Sequence, residues 1–202
     1  MTDNENFVND ILMYPQTFTD YITGKKPVGE TLLRNFAKCN CYLVDVDTSR
    51  VKDMSWMFYV YISFNQDISK WDTCKVTDMV WMFAGATSFN QNISSWDVSK
   101  TTNMAWMFAG AKAYNQNISS WDISNVIDMT GMFAEATSFN QDISKWDISN
   151  VKITEYMFNG ATSFNQNIAN WNTSNIINMS WMFSEATSMK EDHKPKFKNS
   201  GT

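Results

Sequence analysis

The sequence predicts an α/β repeat solenoid, a right-handed coil with one short parallel strand and one short helix or 3₁₀ turn per unit, and three observations carry that expectation. Stretches read from Trp71, Trp96, Trp121, Trp146 and Trp171 fall into register at a fixed step of 25 residues without an insertion or deletion. Each copy holds an apolar run with helical spacing, and each holds a short segment of β-branched and aromatic residues. Self-similarity at such a period marks units that cannot bury an apolar face alone and must stack on their neighbours. A step of 25 also lies inside the range of roughly 20–29 residues typical of leucine-rich-repeat coils, so the expected coil is leucine-rich-repeat-like.

The elements follow in chain order. Residues 1–42 are not repeat-like and read as a helical N-terminal cap. Thr2 and Glu5 form a candidate capping box ahead of Phe7, Val8, Ile11 and Leu12, and Pro15 would end that helix. A second apolar set, Leu32, Leu33, Phe36 and Ala37, predicts another helix over the open first coil. Residues 43–189 then form the repeat, about six units of the type FNQDISKWDTCKVTDMVWMFAGATS (64–88), the first of them degraded. Within the unit, Asn-Gln-Asp/Asn-Ile-Ser carries the expected strand. Met79, Met82, Phe83 and Ala86 stand at i, i+3, i+4 and i+7, one face of the expected helix. Asp78 precedes that face, matched by Asp53, Asn103, Asp128 and Asn178 as N-cap residues. Ile153 and Thr154 break this pattern, which predicts the weakest turn there. At the end Met189 replaces the recurring Phe, and residues 190–202 have too little apolar content to order themselves, so they read as a disordered tail.

Composition narrows the function. A net charge of -5 and scattered lysines argue against a nucleic-acid partner, because phosphate binding needs a clustered basic face. No run of 18 apolar residues is present and the first twenty residues are acidic, so membrane insertion and a visible secretion signal are not expected. Cys39, Cys41 and Cys74 form an odd set without zinc-site spacing and read as free thiols. The only histidine, His193, lies in the tail, and no phosphate-cradling loop or nucleophile motif occurs. The expectation is therefore no enzyme, no cofactor and no metal.

Three columns of recurring residues remain. Asn65, Asn90, Asn115, Asn140 and Asn165 read as an asparagine ladder along the stack. Asp72, Asp97, Asp122 and Asp147 would repel one another, which Asx-turn hydrogen bonds to the following backbone would offset; calcium between coils is the functional alternative. A second aromatic column, Trp56, Trp81, Trp106, Tyr156 and Trp181, interrupted by Gly131, lies two residues past the inward Met position and so faces outward. It reads either as an inter-coil stack or as a contact stripe.

The pattern F-N-Q-[DN]-I-S-x-W-D-[VI]-S-N-V-x-x-M-x-x-M-F-x-x-A over residues 43–188 resembles the 25-residue repeat of the BspA-like leucine-rich-repeat surface proteins, known from mycoplasma-type surface lipoproteins, protists and giant DNA viruses. The resemblance implies a solenoid without catalytic activity, displayed on a surface and binding host or partner proteins. The chain departs from that family in lacking a signal peptide or lipobox cysteine, which leaves an intracellular or virion-borne protein open. The expected function is a non-catalytic protein-binding or adhesion module whose ligand is a protein or a glycan. The alternative is a structural assembly component, in a virion or a self-associating array, that uses its uncapped C-terminal coil.

Overall fold

A computed structural model of the chain describes residues 26–38 and 41–197. Among them the regular secondary structure is one helix, α1 (Glu30–Lys38), and one 3₁₀ turn (Glu191–His193). There is no strand. This overturns the α/β repeat solenoid with a strand and a helix in every coil. The segments expected to be strands, such as 65–69, carry no bridge; the parallel bridges are isolated, and apart from one between Pro27 and Asp47 they fall on the column expected to cap helices, joining Asp53 to Asp78, Asp78 to Asn103, Asn103 to Asp128, Asp128 to Ile153 and Ile153 to Asn178. The candidate capping box and first helix, Thr2 to Pro15, lie outside the described residues.

The run expected to be helical is a chain of tight turns. Two residues per unit, four apart, take positive φ: Trp81 at 58° and Gly85 at 72°, Trp106 at 59° and Gly110 at 66°, Gly131 at 56° and Glu135 at 55°. A left-handed residue every four positions cannot continue a right-handed helix. The spacing of Met79, Met82, Phe83 and Ala86 nevertheless holds as a statement about burial, since all four are fully buried. Apolar spacing reports which side chains point inward, and here a succession of turns meets the same requirement as a helix.

Backbone hydrogen bonding explains why such irregular units stack. In the second unit the N–H groups of Met79, Trp81, Phe83 and Gly85 donate to the carbonyls of Asn103, Ala105, Met107 and Ala109 in the third. The alternate N–H groups of Met82, Ala84 and Ala86 close turns on Met79, Trp81 and Phe83. The carbonyls of Asp78, Val80, Met82 and Ala84 accept from the first unit. Donors toward the next unit and acceptors toward the previous one thus alternate, and the buried polar backbone is satisfied without helix or strand. Along this run each unit has a donor side and an acceptor side, whereas just before it the bond is reversed, as from the Thr77 N–H back to the Lys52 carbonyl.

Side chains repeat this logic. Phe58, Phe83, Phe108, Phe133, Phe158 and Phe183 stack at 5.4–5.7 Å between ring centroids, and the first five of them lie beside the rings of a further column formed by Phe64, Phe89, Tyr114, Phe139 and Phe164. Trp71, Trp96, Trp121, Trp146 and Trp171 are buried, and each indole N–H donates to a carbonyl of the preceding unit, from Leu43 for Trp71 to Ile143 for Trp171.

The two ends are finished differently. The set Leu32, Leu33, Phe36 and Ala37 lies on α1, where Leu33, Phe36 and Ala37 are buried over the first unit. Glu30 Oε1 accepts the Lys52 N–H at 2.9 Å, and Arg34 donates to the carbonyls of Asp53 and Ser55. These are groups that a preceding unit would otherwise satisfy. Residues 190–197, expected to be disordered, instead lie on the last unit: the Lys190 N–H donates to Asn165 Oδ1, Thr173 Oγ1 to the Lys196 carbonyl and the Ile168 N–H to the His193 carbonyl. Phe197 packs against the core. Cys41 is disulfide-bonded and Cys74 is free, which corrects the reading of Cys41 as a free thiol.

Two departures from the consensus leave buried hydroxyls without a partner, Tyr114 in the column that runs from Phe64 to Phe164 and Thr154 in the Met column. An unpartnered buried hydroxyl costs about 1–3 kcal/mol. Tyr114→Phe restores the recurring residue, so it is expected to raise the urea midpoint by the equivalent of about 1 kcal/mol or more. A midpoint that falls would show that the hydroxyl is satisfied.

Candidate binding face

The second aromatic column is built on the left-handed positions. Trp56, Trp81, Trp106, Tyr156 and Trp181 all have φ between 56° and 60°, a region that costs a bulky residue about 1 kcal/mol or more. What holds them there is the N–H of each interior residue, which donates to the next unit, as from Trp81 to Ala105 at 3.0 Å and from Trp106 to Thr130 at 2.7 Å. The rings add to this. Trp56 stacks on Trp81 and Trp81 on Trp106 at 5.1 Å, with interplanar angles of 11° and 15°. Tyr59 packs edge-on to both Trp56 and Trp81.

Gly131 does not leave a gap. A Cβ built there would overlap Cε3, Cζ3 and Cδ2 of Trp106, so the Trp106 ring lies over the glycine. From there it reaches Tyr156 at 6.2 Å. Trp181 makes no ring pair among the described residues and is 64% exposed, while Trp56, at the other end, is 49% exposed. Where the rings stack, from Trp56 through Trp81 to Trp106, they cover one another's faces and present their edges to solvent.

Beside the stack runs a groove of about 320 Å³. Trp81 and Trp106 form its wall, and Ala84, Gly85, Ala109 and Gly110 line it. Tyr59 and Val60 stand at one end, and Ala134 and Glu135 at the other. The bounds follow from one alignment column: Val60, Gly85, Gly110, Glu135, Gly160 and Glu185 all adopt the second left-handed position, and two consecutive glycines create the groove between two side chains. Glu135 is exposed and makes no ion pair with another described residue. The aromatic column itself was legible in the sequence. The groove was missed, and its signal was the exchange of Gly and the bulky residue between WMFAG at 106–110 and GMFAE at 131–135.

The polar columns are occupied by the scaffold. Asn65 Oδ1 accepts the Asn90 N–H at 2.9 Å, and the same bond runs from Asn115 to Asn90, Asn140 to Asn115 and Asn165 to Asn140. Asp72 Oδ1 accepts the Cys74 N–H, and Asp97, Asp122 and Asp147 accept the N–H of Ser99, Ser124 and Ser149, all Asx-type bonds two residues on. No group of three metal-ligating side chains close enough to hold an ion occurs among the described residues. Nor is any described helix long and apolar enough to cross a membrane. Hydroxyl and then backbone N–H bonds from Ser99, Ser144 and Ser149 hold the carboxyls of Asp97, Asp142 and Asp147 below the ordinary carboxylate value; the thiol and N–H of Cys74 do the same for Asp72.

Fold and face together define a protein of stacked 25-residue, turn-built units closed at its first end by a helix. The chain belongs to the DUF285 family, mycoplasma proteins of unknown function, whose model matches residues 30–139 and again residues 98–197. No curated protein and no solved structure matches it.

Two outcomes follow from this geometry. Gly131→Ala is expected to lower stability by about 1–3 kcal/mol, because the added methyl displaces the Trp106 ring at a positive-φ site; unchanged thermal unfolding would place the ring elsewhere. The depressed carboxyls bind protons more weakly folded than unfolded. Their stabilisation is therefore present above the unfolded value, about pH 4, and is lost as pH falls through the folded values. Urea midpoints measured from pH 6 to pH 2 should drop below about pH 4, and drop less in an Asp97→Asn, Asp147→Asn variant, which keeps the acceptor oxygen without the proton linkage.

Proposed function

We propose that this chain is a non-catalytic protein-binding module of the BspA-like repeat type, engaging a protein partner along the groove beside Trp81 and Trp106. The observation that carries this reading is the groove's construction, an apolar trough bounded at both ends, walled by aromatic rings and carrying one unpaired carboxylate at Glu135. Aromatic anchors beside small residues are the usual centre of a protein interface. A protein ligand is favoured over a glycan because sugars stack on aromatic faces, and the interior faces of this column are already covered by other rings. Adhesion or display on a surface would be one use of such a module.

The test fills the groove without disturbing the ring stack. Ala109→Arg is expected to reduce capture of a binding partner by at least about tenfold while the melting temperature stays unchanged. Ile127→Lys, an exposed change away from the groove, should leave capture intact. Equal capture by wild type and Ala109→Arg would sink the reading.

A further inference from the structure

The last unit ends in a strip of unpaired hydrogen-bond donors. Its carbonyls are used as in every other unit, those of Asn178, Ser180, Met182 and Ser184 by the preceding unit. Its outward N–H groups, at Met179, Trp181, Phe183 and Glu185, have no acceptor among the described residues, whereas the matching groups of the second unit are all satisfied by the third. The side chains flanking the strip are bare as well, Ile177 at 77% and Trp181 at 64% exposure.

The polarity of this edge restricts what can cover it. A second copy related by a two-fold axis would set donors against donors, because the strip carries no free carbonyl. A second copy stacked head to tail would bring the acceptor side of its first unit, but Arg34 already takes two of the four acceptors there, the carbonyls of Asp53 and Ser55, and leaves only those of Met57 and Tyr59 without a donor among the described residues. The chain's own residues 190–197 fill only part of the position a further unit would take. The Lys190 N–H meets Asn165 Oδ1 as that of Asn115 meets Asn90 Oδ1, and the Lys196 carbonyl accepts from Thr173 as that of Asp97 accepts from Thr73. The donor strip begins where these residues stop covering the unit.

We propose that the Met179–Glu185 edge is a docking site for the turn segment of a further 25-residue unit supplied in trans by another polypeptide of the same repeat type, its carbonyls accepting from the four free N–H groups and its aromatic ring stacking on Trp181. Such a segment has the required acceptor spacing, which residues 103–109 show against the second unit. This edge is separate from the groove beside Trp81, and the proposal does not rest on that site.

The probe is a synthetic peptide with the sequence of residues 98–113, the part of a unit that residues 190–197 do not already replace. Hydrogen exchange is measured on the full chain with and without it. Exchange at Met179, Trp181, Phe183 and Glu185 is expected to be fast in the free chain and to slow by about tenfold or more with saturating peptide. A scrambled peptide and the Trp181→Lys chain should show no slowing, and Ala109→Arg should respond like wild type. Fast exchange that the peptide leaves unchanged overturns the proposal. So does protection that rises with protein concentration alone and coincides with dimer in light scattering, which would assign the edge to a second copy.

Discussion

Everything in this molecule depends on how one unit's backbone is divided between its two neighbours. Along 79–85, every second N–H points to the next unit and the carbonyls between them point to the previous one, while the remaining groups close turns within the unit. A backbone that satisfies itself through neighbours cannot fold one unit at a time, because an isolated copy would have neither partners for its row of donors and row of acceptors nor a second surface on which to bury its apolar side chains. It also demands a constant step, since a one-residue slip would set each donor against a residue whose carbonyl already closes a turn and whose N–H points to the unit beyond. The absence of any insertion between Trp71 and Trp171 is the sequence consequence of that demand.

The same division explains the strained positions. Turning the chain tightly enough to aim alternate N–H groups in one direction requires two left-handed residues per unit, and the sequence answers with glycine at some of them and with Trp, Tyr, Val or Glu at others. The cost at the Trp positions is offset where a hydrogen bond and a stacked neighbour coincide, as at Trp81 and Trp106. Glycine and bulky residue exchange places at 131 and 135, which moves the Trp106 ring over Gly131 and ends the neighbouring groove at Glu135. Surface shape is therefore varied without altering the stacking, because the two left-handed positions accept different side chains on one backbone.

A directional stack has unlike ends, and they need unlike closures. At the first end the exposed groups include carbonyls, and a guanidinium covers two of them while a carboxylate takes the Lys52 N–H. At the last end the core is covered by Phe197 and its neighbours, but the strip from Met179 to Glu185 keeps its donors free.

Several features were determined by the sequence alone: the 25-residue register, the inward positions from Met79 to Ala86, the helix carrying Leu33 and Phe36, and the outward aromatic column. All of these are matters of which side chain recurs where, and periodicity reports that directly. The sequence did not reveal that the Met-x-Trp-Met-Phe run is a series of turns. Buried spacing at i, i+3, i+4 and i+7 is met equally by a helix and by turns with a left-handed residue every fourth place, and only hydrogen bonds to the next unit favour the second. Nor did it reveal that the bridges form at Asp53, Asp78 and Asn103 rather than at Asn65 and its equivalents, or that residues 190–197 lie on the last unit despite their polarity. Those outcomes depend on partners about 25 residues away across the stack, and a local reading of propensity contains no information about them.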